Sequence, residues 1–345
     1  MILAPIVSMP LLRLINTPDE IIDWCNSYLI IIFVGGIGSA YYNILGGVLR
    51  GLGDSVSALV YLIVATILNI ILDILFVAGL GLGVPGVALA TIIAQAVSGV
   101  LSFLKLRRKT DCFDLKFRYL RPEFKYFREL IRLGLPSGVT QAIFSLSMVI
   151  VQSLTNSFGP MCIATNVIVM RIDGFVMMPA FSFGAAMTTF AGQNIGAGRI
   201  DRVEEGAKKG TRVAMLTSLV ITILILIFGK YLMALFTNTE ALIEQSYHMM
   251  MILSFGYIAM EVTQCLQGIM RGAGDTLAPM WLSMISTVVI RVPLAYLMTW
   301  MTRSPENPNG QFYMIFVSLL VTWLIGAALT YIVYKAGRWK NKALV

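Results

Sequence analysis

Histidine is almost missing from this chain: 345 residues hold one, His248. A multi-histidine metal centre is thereby excluded, as are nucleophile triads other than lysine-based ones. No nucleophile-plus-base constellation accompanies the lysines, so no enzymatic activity is expected and no cofactor is implied. Cysteine is scarce as well. Cys25, Cys112, Cys162 and Cys265 form no CxxC pair and mostly sit in or beside apolar runs, which reads as small core residues rather than a disulfide framework. Charge is the third shortage. Asp, Glu, Lys and Arg make up 13% of the chain and apolar residues 57%, whereas a soluble domain carries roughly 25% charged residues.

Long apolar runs take the place of the missing charge. Residues 56–78 contain only two strongly polar side chains, Asn69 and Asp73, and residues 213–229 contain no charge at all. About 20 apolar residues span a bilayer as a helix, so these runs predict transmembrane segments. A partial segment at 1–15 is followed by others at 27–49, 56–78, 84–106, 136–158, 161–190, 212–235, 247–270, 277–300 and 311–335. The expected fold is an all-α membrane protein. Residues 1–16 lack the basic n-region and small-residue cleavage site of a signal peptide. The string GLGVPG at 81–86 satisfies GxGxxG, but an apolar membrane segment precedes it and Pro85 opens the next helix. It reads as a turn between helices, not a dinucleotide site.

The net charge of +8 invites a nucleic-acid reading, and its distribution argues against one. Basic residues gather at 105–132, 199–212 and 335–345, while the loops at 158–161, 236–243 and 301–310 hold a single one, Arg303. Counting helices through the membrane puts all three clusters on one face. By the positive-inside rule that face is cytoplasmic, so the loops 107–130 and 191–212 and the C-terminus are expected there.

One short string occurs twice. GVLRGLGDS at 47–55 returns as GIMRGAGDT at 268–276, and between 43–55 and 264–276 six of thirteen positions are identical without a gap. The same offset of 221 aligns LINTPDEII at 14–22 with LFTNTEALI at 235–243. Six helices separate the copies, an even number, so both face the same way. This predicts a parallel repeat of two lobes, with an axis along the membrane normal. The expected organisation is a first lobe at 1–106, a cytoplasmic inter-lobe linker at 107–130, a second lobe at 131–337 and a cytoplasmic tail at 338–345. The second lobe starts near residue 130, so the offset of 221 implies that the first lacks about 90 residues, two helices and part of a third. The chain therefore reads as an N-terminally truncated protein of two six-helix lobes.

Three strings carry a family resemblance: FAGQNIGAGR at 190–199, RIDGFVMMPAFSFG at 171–184, and the two RGxGD loops. Together they resemble the multidrug and toxic compound extrusion (MATE) family, from its third helix to its twelfth. The resemblance implies a secondary active antiporter in the cytoplasmic membrane. It would export cationic, amphipathic small molecules, such as drugs and toxins, in exchange for Na⁺ or H⁺, by alternating access. Its expected partners are that substrate and the membrane lipids, without nucleic acid, and its expected state is a monomer. Two alternatives stay open. A lipid-linked precursor flippase of the same superfamily would favour a cavity with several arginines, and only Arg171 and Arg291 are intramembrane here. A non-transporting membrane scaffold would leave Asp73 unexplained.

Polar groups inside the bilayer are the candidate sites, because a charge there costs roughly 2.5–3.5 kcal/mol even on insertion scales. Asn69 and Asp73 are spaced i, i+4 and share a helix face. The next helix brings Thr91 to a comparable depth. An amide, a carboxylate and a hydroxyl are oxygen donors suited to Na⁺, or to a proton on Asp73. The resemblance implies that Asn69, Asp73 and Thr91 are the family's first-lobe cation site, whose remaining aspartate belongs to the segment preceding this sequence. The offset of 221 places Ile290 and Leu294 opposite Asn69 and Asp73 in the second lobe, so this site is not duplicated.

The second lobe offers Glu261, Arg291 and Asp173 instead. By helical rise Glu261 lies about 15 Å and Arg291 about 21 Å from the cytoplasmic helix ends, so the two can pair. They are either a structural ion pair or a substrate or proton site. Some family members carry an acidic residue near the Glu261 position. They also carry a glutamate on the seventh helix, where this chain has Phe144 or Ser145. Arg171, Met177 and Met178 complete the candidate cavity set, the methionines serving either as core filler or as a flexible lining for varied apolar cations.

Overall fold

The apolar runs fold as helices, and glycine-bearing turns punctuate them. The computed structural model describes residues 4–14, 17–108, 123–305 and 307–342. Contacts divide the chain into two units, Met1–Arg121 and Pro122–Val345. The expected linker at 107–130 lies mostly outside the described residues, as does Cys112.

The first unit holds α1 (Ala4–Leu14), α2 (Asp19–Gly51), α3 (Ser55–Asp73) and α4 (Gly83–Arg108). Beyond Asp73, α3 continues into a wider, i→i+5 turn at Ile74–Gly79. Helices α2 and α4 meet through small residues: a Cβ on Gly38 would lie 3.4 Å from the Ala96 Cβ, and one on Gly99 would lie 3.5 Å from the Tyr42 nitrogen. Close backbone approach through small residues is how helices associate where the hydrophobic effect between them is absent. Ser39 bonds Gln95 across this contact, and Ser98 donates to the Tyr61 carbonyl of α3 at 2.9 Å.

The second unit holds α5 (Phe124–Asn156), α6 (Pro160–Gly196), α7 (Ile200–Ala234), α8 (Glu240–Ser254), α9 (Tyr257–Gly272), α10 (Leu277–Met284), α11 (Arg291–Met301) and α12 (Tyr313–Lys335). A second wide turn, Ile285–Ile290, joins α10 to α11, and a 3₁₀ turn at Arg338–Lys342 follows α12. A wide turn loosens the regular hydrogen-bond ladder; here Ser147 Oγ of α5 donates to the Thr287 carbonyl at 2.7 Å. Helices α6 and α9 pack glycine to backbone. A Cβ on Gly184 would sit 3.1 Å from the Gln264 carbonyl, and one on Gly268 or Gly272 would run into the Gly184 or Thr188 carbonyl. Around this seam the core is filled by Met250, Leu253, Tyr257, Phe316 and Trp323, and at its other end by Cys265, Ile269, Met270 and Trp339.

Among the described residues eight helices are long and apolar enough to cross a membrane, and α8 with α9 forms a ninth, bent by 47°. That bend corrects the expectation of one continuous segment at 247–270. It falls beside Gly256, where a Cβ would lie 2.5 Å from the Trp323 ring. The basic cluster at 199–212 is likewise helical rather than a loop, forming the first turns of α7.

The repeated string has a local explanation. In the first copy the Gly53 amide donates to the Arg50 carbonyl at 3.0 Å and the Asp54 amide to the Leu49 carbonyl at 2.9 Å. In the second, Gly274 donates to Arg271 at 3.0 Å and Asp275 to Met270 at 2.9 Å. Gly53 and Gly274 both take φ of 82°, the left-handed conformation that a helix-ending Schellman turn requires. The aspartate then caps the next helix: Asp54 Oδ1 accepts from the Ser57 amide at 3.1 Å, and Asp275 Oδ1 from the Ala278 amide at 3.3 Å. GxGD is thus a stop signal and a start signal in four residues. GAGR at 196–199 makes the same stop, with Gly198 at φ 71° and the Arg199 amide on the Asn194 carbonyl at 2.8 Å.

Candidate functional site

In the first unit, Asn69 and Asp73 occupy the last two turns of α3, one above the other. Thr91 lies on α4, and the structure brings it to Asn69: the Asn69 Nδ2 donates to Thr91 Oγ1 at 3.4 Å. The Thr91 hydroxyl proton is spent on its own helix, donating to the Val87 carbonyl at 3.0 Å, so its lone pairs face Asn69. Asp73 Oδ1 is buried and has no hydrogen-bond partner among the described residues. An orphaned carboxylate oxygen is expensive in an apolar setting, and a proton or a hard cation relieves it. With the Asn69 amide rotated to present its oxygen, the three side chains offer the oxygen donors such a cation takes. The residues therefore fit a proton or a small hard cation. The wide turn begins at Ile74, directly after Asp73. Turns of this kind recur where a helix must depart from its regular ladder.

The second unit gathers its polar residues differently. Tyr257, at the start of α9, donates its hydroxyl to Asp173 Oδ1 of α6 at 3.0 Å. Arg291, 6% exposed at the start of α11, is close enough to act electrostatically on Asp173. A cavity of about 450 Å³ lies beside it, lined by Gln152, Asn156, Asn166, Met170, Arg291 and Phe316 among others. Three of these amides form a chain: Asn166 Nδ2 donates to Gln152 Oε1 at 2.9 Å, and Gln152 Nε2 to Asn156 Oδ1 at 2.8 Å.

Glu261 stands apart from this cluster. It is 2% exposed, its Oε2 has no hydrogen-bond partner among the described residues, and Cys265 follows it one turn along α9. The Glu261–Arg291 pair that depth allows is absent, and Asp173 is the acidic neighbour of Arg291 instead. The reason is helical phase. Depth counted by rise says nothing of which way a side chain points, and a wide turn at Ile285–Ile290 interrupts the regular ladder just before Arg291. One residue added to a turn rotates everything beyond it by about 100°.

The other candidates scatter. Met177 is packed in the core, whereas Met178, 57% exposed, and Arg171 lie on exposed faces of α6. Met170, two turns before Met177, lines the cavity. Sequence reasoning misses Tyr257 and the amides Gln152, Asn156 and Asn166. The signal for the amides is spacing: Gln152 and Asn156 are i, i+4, and Asn166 and Asp173 are i, i+7, each pair on one face of an apolar helix. Among the described residues no three His, Cys, Asp or Glu side chains come together as a metal site.

Similarity to known proteins runs along most of the chain. The MatE family model matches residues 1–75 and 136–297. The probable multidrug resistance protein YpnP of Bacillus subtilis (strain 168) is 30% identical over 336 residues, covering 97% of this chain and 73% of that protein. The probable multidrug resistance protein NorM of Thermotoga maritima is 24% identical over 340 residues, covering 96% and 70%. Among solved structures, an outward-facing conformation of a multidrug resistance MATE family transporter of the MOP superfamily superposes with a TM-score of 0.88 at 21% identity, covering 97% of this chain and 75% of that one.

Proposed function

Because this chain belongs to the MatE family of multidrug efflux transporters, whose members are transporters and not enzymes, we propose that it exports cationic, amphipathic small molecules in exchange for Na⁺ or H⁺ and that Asp73 carries the coupling. One observation supports the coupling site above the rest: Asp73 Oδ1 is buried and unpartnered one helical turn from the Asn69–Thr91 hydrogen bond. The coupling ion compensates the Asp73 carboxylate. Asn69 and Thr91 supply neutral oxygens beside it, and α3 and α4 hold the three in register. An ion can shift the balance between inward- and outward-open states only by binding the two unequally. The wide turn at Ile74–Gly79 is where α3 repacks between those states. In this reading the basic helix ends face the cytoplasm and the protein resides in the plasma membrane.

The flippase alternative loses support from the second unit. A pyrophosphate headgroup calls for several converging arginines. Arg291 is buried against Asp173, and Arg171 lies on an exposed face. The proposed export is tested by ion-driven efflux in cells and in vesicles. Dye export that collapses when the Na⁺ and H⁺ gradients are dissipated supports it; export that persists without either gradient overturns it.

A further inference from the structure

The cytoplasm-assigned end of the second unit carries a second cavity, of about 560 Å³, that the transport reading does not use. It lies between the first turns of α7, the middle of α9, the last turn of α12 and the 3₁₀ turn beyond it. On α7, Glu204, Lys208, Thr211 and Met215 recur at i, i+4, i+7 and i+11, so one face of that helix forms a wall. Four cations line the space: Lys208, Arg212, Lys335 and Lys340. One carboxylate does, Glu204, and Lys340 is bonded to it. The charges of Lys208 and Lys335 also act on Glu204, so the basic groups converge on one end of the cavity. The net balance of the lining is strongly positive.

The rest of the lining changes character with depth. Val262, Leu266 and Met215 make an apolar wall inside the basic rim. Tyr331 and Tyr334 stand at the boundary, the second stacked on Trp339 with ring centroids 5.4 Å apart. The Trp339 indole donates to the Tyr334 carbonyl at 3.0 Å and is 1% exposed, so the Arg338–Lys342 turn is folded against the helices. Lys335 lies over the Tyr331 ring at 5.8 Å. Aromatic side chains at the end of an apolar helix mark the headgroup level of a membrane. A basic rim above apolar walls at that level matches the chemistry of an anionic lipid, phosphate outside and acyl chain inside.

We propose that this cleft binds the phosphate headgroup of an anionic phospholipid, held by Lys208, Arg212 and Lys335, and that the lipid fastens the C-terminal turn onto α7. A phosphodiester supplies several strong acceptor oxygens for three cationic donors. Its acyl chain continues along Met215 and Leu266. The lipid replaces solvent as the counter-charge of the basic rim and bridges α7 to α12.

The test is thermal unfolding of the full chain in nanodiscs of phosphatidylcholine with increasing phosphatidylglycerol, beside titrations with inorganic phosphate and with water-soluble glycerophosphoglycerol. The expected result is saturable stabilisation by phosphatidylglycerol at a few mole per cent, with little effect from either soluble phosphate. The Lys208→Gln/Arg212→Gln/Lys335→Gln variant should unfold normally in pure phosphatidylcholine, which shows that it folds. Its affinity for phosphatidylglycerol should fall about a hundredfold, the loss expected for three basic residues at a charged surface, which carries half-saturation from a few mole per cent beyond any bilayer composition and leaves no saturable stabilisation. The Lys208→Arg/Lys335→Arg variant should keep the wild-type response. Equal stabilisation by both lipids, or an unchanged response in the triple glutamine variant, overturns the site. Stabilisation by inorganic phosphate as strong as by the lipid overturns the lipid assignment.

Discussion

The two RGxGD turns are the same object in two settings. Their backbone hydrogen bonds agree in partners and in length, and their left-handed glycines share a φ of 82°. The helices leading into them differ. On α9, Gly268 and Gly272 press against the α6 backbone, whereas a Cβ on the matching Gly47 of α2 would meet only the Arg50 side chain, 3.9 Å away. A Cβ on Gly51 would meet nothing within 4 Å among the described residues. The helices leading out differ again, since α3 carries Asn69 and Asp73 where the second unit has Ile290 and Leu294. Turn chemistry is therefore what the repeat preserves. It specifies where one helix stops and the next begins, and it leaves each unit free to place its polar groups elsewhere.

Glycine substitutions should separate the two settings by the widest margin. Gly272→Leu should force α6 and α9 apart and cost about 3 kcal/mol or more, at the upper end of overpacking penalties. Gly51→Ala should be neutral or slightly stabilising, because an open helical glycine gains roughly 0.5–1 kcal/mol from alanine. Thermal unfolding of the two purified variants measures the contrast, and equal melting temperatures would mean that the seam does not carry the second unit.

The turns themselves should respond alike. Gly53→Ala and Gly274→Ala each force an L side chain into the left-handed region, at about 1–2 kcal/mol apiece. Unequal losses, measured by the same unfolding transition, would show that surroundings outweigh turn geometry. Removing the caps is expected to cost least. Asp54→Ala and Asp275→Ala should each lose about 1 kcal/mol, with the larger loss at Asp275, which is 3% exposed, so that water replaces its bond to the Ala278 amide less readily. Hydrogen exchange at Ser57 and Ala278 reports the frayed first turns directly.

Much of this arrangement is legible in the residues. Apolar runs of spanning length, the GxGD string and the intramembrane pair Asn69 and Asp73 emerge from composition, spacing and the cost of polar groups in lipid. Helix phase is not legible in this way. The wide turn before Arg291 rotates the helix beyond it, and no local residue pattern announces it. Depth alone therefore pairs Glu261 with Arg291, a contact that helical phase denies. Tyr257 is silent in the sequence for a different reason. It reaches Asp173 across 84 positions, a contact that only tertiary packing creates.

Within the candidate coupling site the neutral ligands should matter less than the charge. Asn69→Ala and Thr91→Ala each remove one uncharged donor, so each should weaken the ion dependence of export several-fold without abolishing it. Initial efflux rates against Na⁺ concentration and pH separate a weaker ion site from a slower transporter.

Asp73→Asn asks most directly whether the α3 carboxylate whose Oδ1 is buried without a partner couples the ion gradient to export. The substitution keeps the shape of the side chain and removes its charge, so membrane insertion and the unfolding transition should match the wild type. Cells expressing it should accumulate ethidium as cells without the transporter do, at every Na⁺ concentration and pH. Export at the wild-type rate, with the wild-type response to Na⁺ and pH, would overturn the Asp73 assignment and turn attention to Glu261, which is 2% exposed and whose Oε2 is likewise buried without a hydrogen-bond partner among the described residues.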